Sequence, residues 1–219
     1  MEMPPLRGVP GMSQVQGGPR GDVRWDEYPE SELLPVLRHA RDAFVANGYN
    51  GTTVRDIASR MGQTVPAIYY YYENKQALLV ALLHRSMDDL LERCRLAQLE
   101  TRDDPAEQLT VLVRCIVLYV AHRREMAFLD AEIRSLEPAN REAYVFKRDQ
   151  MQAMITRVIT IGMERSVFSP GDPHSDARAL IMMLRGIANW YRPGGHLGPE
   201  DLCRQYVTYA LRLVGHQPV

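Results

Sequence analysis

Cysteine is scarce in this sequence, and its placement offers no pairing. Cys94, Cys115 and Cys203 stand far apart, with no CxxC pair. An odd, dispersed set argues against a disulfide framework or a zinc site, and fits a reducing compartment. No apolar run reaches the roughly 18 residues of a membrane span, and the start of the chain lacks the apolar core of a signal peptide. The expectation is a soluble cytoplasmic protein with no membrane partner. Net charge is −1, so no overall basicity advertises a polyanion. Nucleophile elbow, phosphate loop, HExxH and paired-histidine patterns are missing as well. Glu132 with Glu137 or His174 has no spacing that supports an acid–base pair. These absences point away from an enzyme, and toward neither cofactor nor metal. No stretch alternates apolar and polar residues as a half-buried strand does, and no fixed-period repeat is visible.

What is present is an ordinary globular composition, 46% hydrophobic over 219 residues, enough for one large or two small domains with a real core. Residues 1–30 differ. "PPLRGVPGM" and "QGGPRGD" scatter Pro and Gly without a period, and such a stretch buries too little surface to offset its ordering entropy. It reads as a flexible tail whose Arg7, Arg20 and Arg24 are solvated rather than set against nucleic acid. From residue 31 onward the spacing is helical. Leu33, Leu37, Ala40 and Phe44 share a face, with Pro35 in the first turn, and "NGY" at 47–49 ends that helix. In "TTVRDIASRMG", Thr53 and Asp56 form a capping box. Val54, Ile57, Ala58 and Met61 face inward, and Gly62 stops the helix. A new helix starts at Thr64, with Pro66 in its first turn, and Asn74 caps a fourth, over 75–91. Leu109 to Val120, Met151 to Met163, Ala177 to Ala188 and Cys203 to Val214 repeat the amphipathic spacing, broken at "SPGDP" and "RPGG".

Two short helices separated by "GQT" make a helix-turn-helix, whose second helix can bring its N-terminal residues to base edges in a major groove. That helix carries four consecutive tyrosines, Tyr69 to Tyr72, in "TVPAIYYYYENK". Four successive residues cover every face of a helix, so the four cannot share a role. Ile68 and Tyr72 are expected to pack inward and Tyr70 and Tyr71 to face the groove. Tyr69 is expected to offer its hydroxyl to a phosphate while its ring stays partly packed. Lys75 opens the next helix, whose N-terminus attracts anions.

The segment "TTVRDIASRMGQTVPAIYYYYENKQALLVAL" resembles the DNA-binding region of the TetR family of bacterial transcriptional regulators. Thr52, Thr53, Ile57, Ala58, Gly62, Tyr69, Lys75 and Leu78 match the family pattern, and "DAFVANGYNGTT" matches the helix end before it. The usual valine-serine is Gln63-Thr64 here, and the usual histidine and phenylalanine are Tyr71 and Tyr72. Val65, Pro66 and Ala67 offer apolar contact, suited to a thymine methyl. The resemblance implies double-stranded operator DNA as partner, with Thr53, Arg55, Gln63, Thr64, Val65, Pro66, Ala67, Tyr69, Tyr70, Tyr71 and Lys75 as contacts. Charge tempers this. Residues 31–91 hold Arg38, Arg41, Arg55, Arg60, Lys75 and Arg85 against Glu32, Asp42, Asp56, Glu73, Asp88 and Asp89, so binding must rest on local placement rather than on a basic patch.

The rest of the chain resembles the helical effector-binding half of the family. "WYRPGG" before a capped helix is similar to a subgroup that controls lipid or sterol catabolism and senses acyl-CoA thioesters. The resemblance implies a homodimer through helices at roughly 174–191 and 199–214. A pocket between helices 105–122 and 142–166 needs apolar walls and a few polar groups. Met126, Phe128, Met151, Met154, Met163, Met182, Met183 and Trp190 are candidates for the walls, and Glu132, Arg134 and Arg185 for the polar groups. "HRRE" at 122–125 reads as a solvated helix end that could also attract a phosphorylated ligand. The expectation is an all-α chain: a tail (1–30), a three-helix DNA-binding domain with its linking helix (31–91), and an effector-binding and dimerisation domain (92–219). Its role would be a repressor released by a hydrophobic small molecule such as an acyl-CoA. The competing readings are a helical protein-interaction module and an activator without a classical inducer.

Overall fold

Proline opens most of the long helices. The missing N–H of a proline coincides with a group that the first turn leaves unpaired anyway, and its fixed φ suits the helix. The computed structural model describes residues 24–29 and 33–216. Within them α1 (Pro35–Asn47), α5 (Pro105–His122), α7 (Pro138–Glu164), α8 (Pro173–Trp190) and α9 (Pro199–Leu213) all begin on proline. α2 (Val54–Arg60), α3 (Val65–Tyr71) and α4 (Lys75–Leu99) lie between the first and second of these, and α6 (Arg124–Phe128) runs into a 3-10 segment, Leu129–Ser135. No strand occurs among the described residues. The fold is all-α.

Capping side chains set several of the starts. Asn74 accepts from the Ala77 amide, Asp104 from Ala106 and Asp172 from His174, each satisfying a donor that the first turn leaves open. Asp172 is held below the usual carboxylate range, chiefly by its hydrogen bond from Ser175.

Two apolar clusters form the core. The first gathers α1, α2, α3 and the first half of α4 around Phe44, Ile57, Ile68, Leu78 and Leu82, together with Met126, Leu129, Ile133, Leu136 and Tyr144. The second gathers the last part of α4 with α5, α7, α8 and α9. Cys115 to Ala121 of α5 are buried without a break, as expected of a helix enclosed on every side. α4 runs through both clusters. The expected boundary at residue 91 therefore falls inside one continuous helix of 25 residues, and the helix spaced as 142–166 starts earlier, at Pro138.

The expectation of a flexible tail through residue 30 fails for 24–29. Trp25 is 7% exposed and packs in the second cluster. Its indole N–H donates to Glu100 at 2.7 Å. Arg93 donates to the carbonyls of Trp25 and Glu27 and lies 4.2 Å from the Tyr28 ring centroid. Tyr28 stacks on His122, with centroids 4.7 Å apart, and Arg123 donates to the Pro29 carbonyl. His122 and Arg123 of "HRRE" thus fasten this strap while His122 stays exposed. Arg24 is solvated as read, its side chain exposed, and pairs with Asp26 at 3.1 Å. Arg7 and Arg20 lie outside the described residues.

The three cysteines are free and buried. Burial pushes the Cys203 thiol up to about 12, which leaves little reactive thiolate near neutral pH.

Candidate DNA-contacting face and ligand cavity

The helix-turn-helix is built from its caps inward. Thr53 Oγ1 accepts from the Asp56 amide at 3.2 Å, and Asp56 accepts from the Thr53 amide at 2.8 Å and its hydroxyl at 2.7 Å. These bonds hold the Asp56 carboxyl below its usual range. Gly62 takes φ +63 at the turn, a conformation that costs other residues. Ile68, fully buried, anchors α3, and Thr64 starts that helix without spending its hydroxyl on a cap.

The tyrosines divide as their helical positions dictate. Tyr72 is half-buried against the first cluster. Tyr69, Tyr70 and Tyr71 are 50%, 85% and 57% exposed, and the rings of Tyr70 and Tyr71 meet edge to face at 5.2 Å. Thr53, Arg55, Gln63, Thr64 and Pro66 are exposed around them, and Val65 and Ala67 partly so.

Lys75 departs from expectation. Its ammonium donates to the carbonyls of Tyr49 and Thr52, both at 2.8 Å, and sits 4.1 Å from the centroid of the Tyr49 ring. Burial lowers its pKa from the ordinary lysine value. Two of its three donors are committed to the loop between α1 and α2. The same loop is fixed by Thr52, whose hydroxyl donates to the carbonyls of Ala43 and Gly48. The sequence aims Lys75 at phosphate because it sits at a helix start, but the carbonyls that claim it converge only in the fold.

Between α4, α5, α7 and α8 lies a cavity of about 310 Å³. Met87, Leu90, Ile116, Val120, Met151, Ile181 and Leu184 give apolar walls, and Ser86, Tyr119, Tyr144, Asp149, Gln152, Asp130, Arg148 and Arg185 are the polar groups of the lining. Tyr119 donates to the Ser86 carbonyl at 3.0 Å, and the two hydroxyls lie 2.9 Å apart. Burial pushes the Tyr119 phenol well above its ordinary value. A second chamber of about 460 Å³ lies beside the 3-10 segment and α8, lined by Phe128, Ala131, Ile133, Arg134, Met182 and Asn189 among others. Both chambers share Ala127, Asp130, Arg148 and Arg185. Asp130 is the hub of that partition. It accepts from the Tyr144 hydroxyl at 2.7 Å, pairs with Arg185, and lies 4.0 Å from Arg148 Nε.

The expected ligand residues scatter. Met151 and Arg185 line the inner chamber, and Phe128, Arg134, Met182 and Arg185 the outer one. Met126 faces the other way, into the first core cluster. Met154, Met163 and Met183 pack against the second cluster outside both linings. Trp190 is 49% exposed and stacks on Tyr206 beyond the cavity. Glu132 accepts from the Tyr49 amide at 3.1 Å and from Ser135, so it binds the DNA-side unit instead of lining a chamber. Sequence reading missed Asp130, Tyr144 and Arg148. Their signal was faint: Asp130 sits in a segment without helical periodicity, and Tyr144 and Arg148 extend the Met151 and Ile155 face of α7 with polar groups that an apolar stripe does not single out.

The geometry of both halves has counterparts. Residues 36–82 match the family described as bacterial regulatory proteins, tetR family, and residues 102–214 match the tetracyclin repressor-like C-terminal domain. The chain is similar to the HTH-type transcriptional repressor KstR2 of Mycolicibacterium smegmatis, 26% identical over 189 residues, covering 84% of this chain and 90% of that protein. The solved structure of the ketosteroid transcriptional regulator KstR2 of Mycobacterium tuberculosis has a TM-score of 0.78 at 26% identity, covering 88% of this chain and 98% of that chain. AibR, solved in complex with isovaleryl coenzyme A and operator DNA, shares the fold, with a TM-score of 0.73 at 23% identity over 83% of this chain and 97% of its own. This chain belongs to the TetR family of bacterial transcriptional regulators.

Proposed function

We propose that this regulator is a homodimeric repressor whose α3 helices read operator DNA and whose cavity takes an apolar effector carrying an anionic group, of the acyl-CoA type. Tyr69, Tyr70 and Tyr71 meet the phosphates and groove wall, with Thr53, Arg55, Gln63 and Thr64 beside them, and Val65, Pro66 and Ala67 offer apolar contact to bases. The observation that carries the effector reading is the cavity itself. An apolar chamber shares Asp130, Arg148 and Arg185 with a second chamber that adds Arg134. An acyl or sterol-derived body suits the inner walls, and a carboxylate or phosphate suits the arginines. KstR2 is described as a ketosteroid regulator, which fits an effector of that apolar kind, and the fold shared with AibR is one that accommodates isovaleryl coenzyme A and operator DNA.

The test has two arms. Duplexes selected by the protein from a random pool define its operator, and titrating octanoyl-CoA, a sterol-derived acyl-CoA and free octanoate into that complex reports release by fluorescence anisotropy. Release by a thioester at concentrations where octanoate does nothing supports the reading. An operator complex indifferent to all three, with nothing small co-purifying by mass spectrometry from cell extract, overturns the effector assignment.

A further inference from the structure

We infer that the 3-10 segment Leu129–Ser135 is the relay from cavity to DNA-binding unit, sensing an anionic ligand through Asp130 and acting on the loop between α1 and α2 through Glu132. This rests on the reading of the cavity as an effector site and names how that site is heard. In a 3-10 turn, residues two apart point to different sides of the axis. Here one side chain faces the chambers and the other faces the helix-turn-helix. Asp130 is held by the Tyr144 hydroxyl and by Arg185, with its side chain 14% exposed. Glu132 accepts the Tyr49 amide, which follows Gly48 at φ +72. A side chain at Gly48 would be strained by that φ, and its Cβ would lie 3.6 Å from the same carboxylate.

The grip is double. Gln76, in the first turn of α4 and 8% exposed, donates to the Tyr49 hydroxyl at 3.1 Å and to the Ser135 carbonyl at 3.0 Å, and accepts from the Glu137 amide at 3.2 Å. Both the loop before α2 and the start of α4 are therefore tied to one short segment. Leu129 and Ile133 bury the segment's apolar side in the same cluster as Phe44 and Ile57, so its displacement cannot leave that cluster undisturbed in a close-packed interior. An anion drawn to Arg185 and Arg148 competes with Asp130 for the same guanidinium groups. The carboxylate that loses its cation while still largely enclosed is penalised, and the segment that carries it is driven to another position. Such a relay requires that the two arrangements be discrete and that the ligand bind one better.

Hydrogen exchange on the full chain tests the relay without any ligand. Asp130→Asn, which removes the charge that holds Arg185, should speed exchange of the amides in 48–53 by about tenfold. Arg185→Gln should do the same from the other side of the pair, and serves if the first variant folds poorly. Glu132→Ala should match them and add nothing in combination with Asp130→Asn, whereas Glu132→Gln keeps an acceptor for the Tyr49 amide and should stay near the parent. Met182→Ala, in the same chamber, should leave 48–53 unchanged. Exchange in 48–53 that ignores both Asp130→Asn and Arg185→Gln, while 124–135 loosens, overturns the relay. Octanoyl-CoA separates the two readings. Binding without altered exchange in 48–53 sinks the relay and leaves the effector site standing. No binding strikes the acyl-CoA assignment, and the variants still decide the relay.

Discussion

At the scale of the residue, position along the chain and position in space part company at Lys75. Thr53, Asp56 and Asn74 do what their spacing dictates, because caps are local and their partners lie three residues away. Lys75 looks equally local, yet its partners are carbonyls more than twenty residues upstream. The two roles predict different variants. Tyr70→Ala should leave the thermal midpoint within about a degree, since an 85% exposed ring supports little folded structure, and should weaken operator binding roughly tenfold by anisotropy. Lys75→Ala should lower stability by about 1–2 kcal/mol in chemical denaturation, the range of charge-assisted bonds discounted for partial exposure, and lose DNA binding along with the loop. Thr53→Ala, which removes the capping box, should cost about 1 kcal/mol in the same measurement. Equal stability loss in the Tyr70 and Lys75 variants would refute the division.

At the scale of the element, the strap of residues 24–29 carries a pH dependence. Burial first, then Arg123 and Arg93, lowers the His122 pKa from its ordinary 6.5. A depressed folded-state value means that protons prefer the undocked form. Stability from the stacked ring is present above about 6.5 and is lost as pH falls through the lower folded value. Trp25 emission, read in a Trp190→Phe background, should shift to the red as pH drops below that point, and His122→Gln should flatten the transition. A flat profile in the parent would remove the strap's dependence on His122. His84 is also lowered, by burial and then Lys147, but it faces Tyr144, so His84→Gln should leave the Trp25 signal alone. The strap also marks where sequence stops being legible. α1, α5, α8 and α9 announce themselves through repeated apolar stripes, α2 through its capping box and the glycine at 62, and α3 through Pro66 in its first turn. Residues 24–29 have a single large apolar anchor, Trp25, in polar company, and nothing local shows that Arg93 and Glu100 wait for it. α6 and the 3-10 segment fail for a related reason. Each spans seven residues or fewer, too short for a period to show, and the side chains of α6 are shared between two clusters. The cavity was half visible because methionines and an arginine in amphipathic helices suggest a wall, while the partition around Asp130 depends on helix α7 meeting α8.

At the scale of the whole molecule, the stripes first assigned to subunit contact are largely consumed within one chain: Leu180, Leu184, Ile187, Cys203 and Ala210 are buried. What α8 and α9 leave outside is Met182, Trp190, Tyr209 and Leu213. The proposed dimer rests on that smaller set, and sedimentation at micromolar concentration should give about twice the 25.0 kDa chain mass. Trp190→Ala with Leu213→Asp should weaken self-association at least tenfold, and a parent that sediments as a monomer would end the two-half-site picture. Helix α4 then acquires a metric meaning. Its 25 residues span about 37 Å, with Leu91, Cys94 and Ala97 fixed in one cluster and its first turn bound to the DNA-side loop. A tilt of about 5° about the buried end carries the first turn about 3 Å, close to the ~3.4 Å rise of one base pair. Two such helices moving in opposite senses would alter the reach of the pair by nearly two base pairs. Operator spacing becomes a ruler for the effector state: a duplex whose half-sites are set one or two base pairs off the optimum should penalise the ligand-free protein and favour the ligand-bound one.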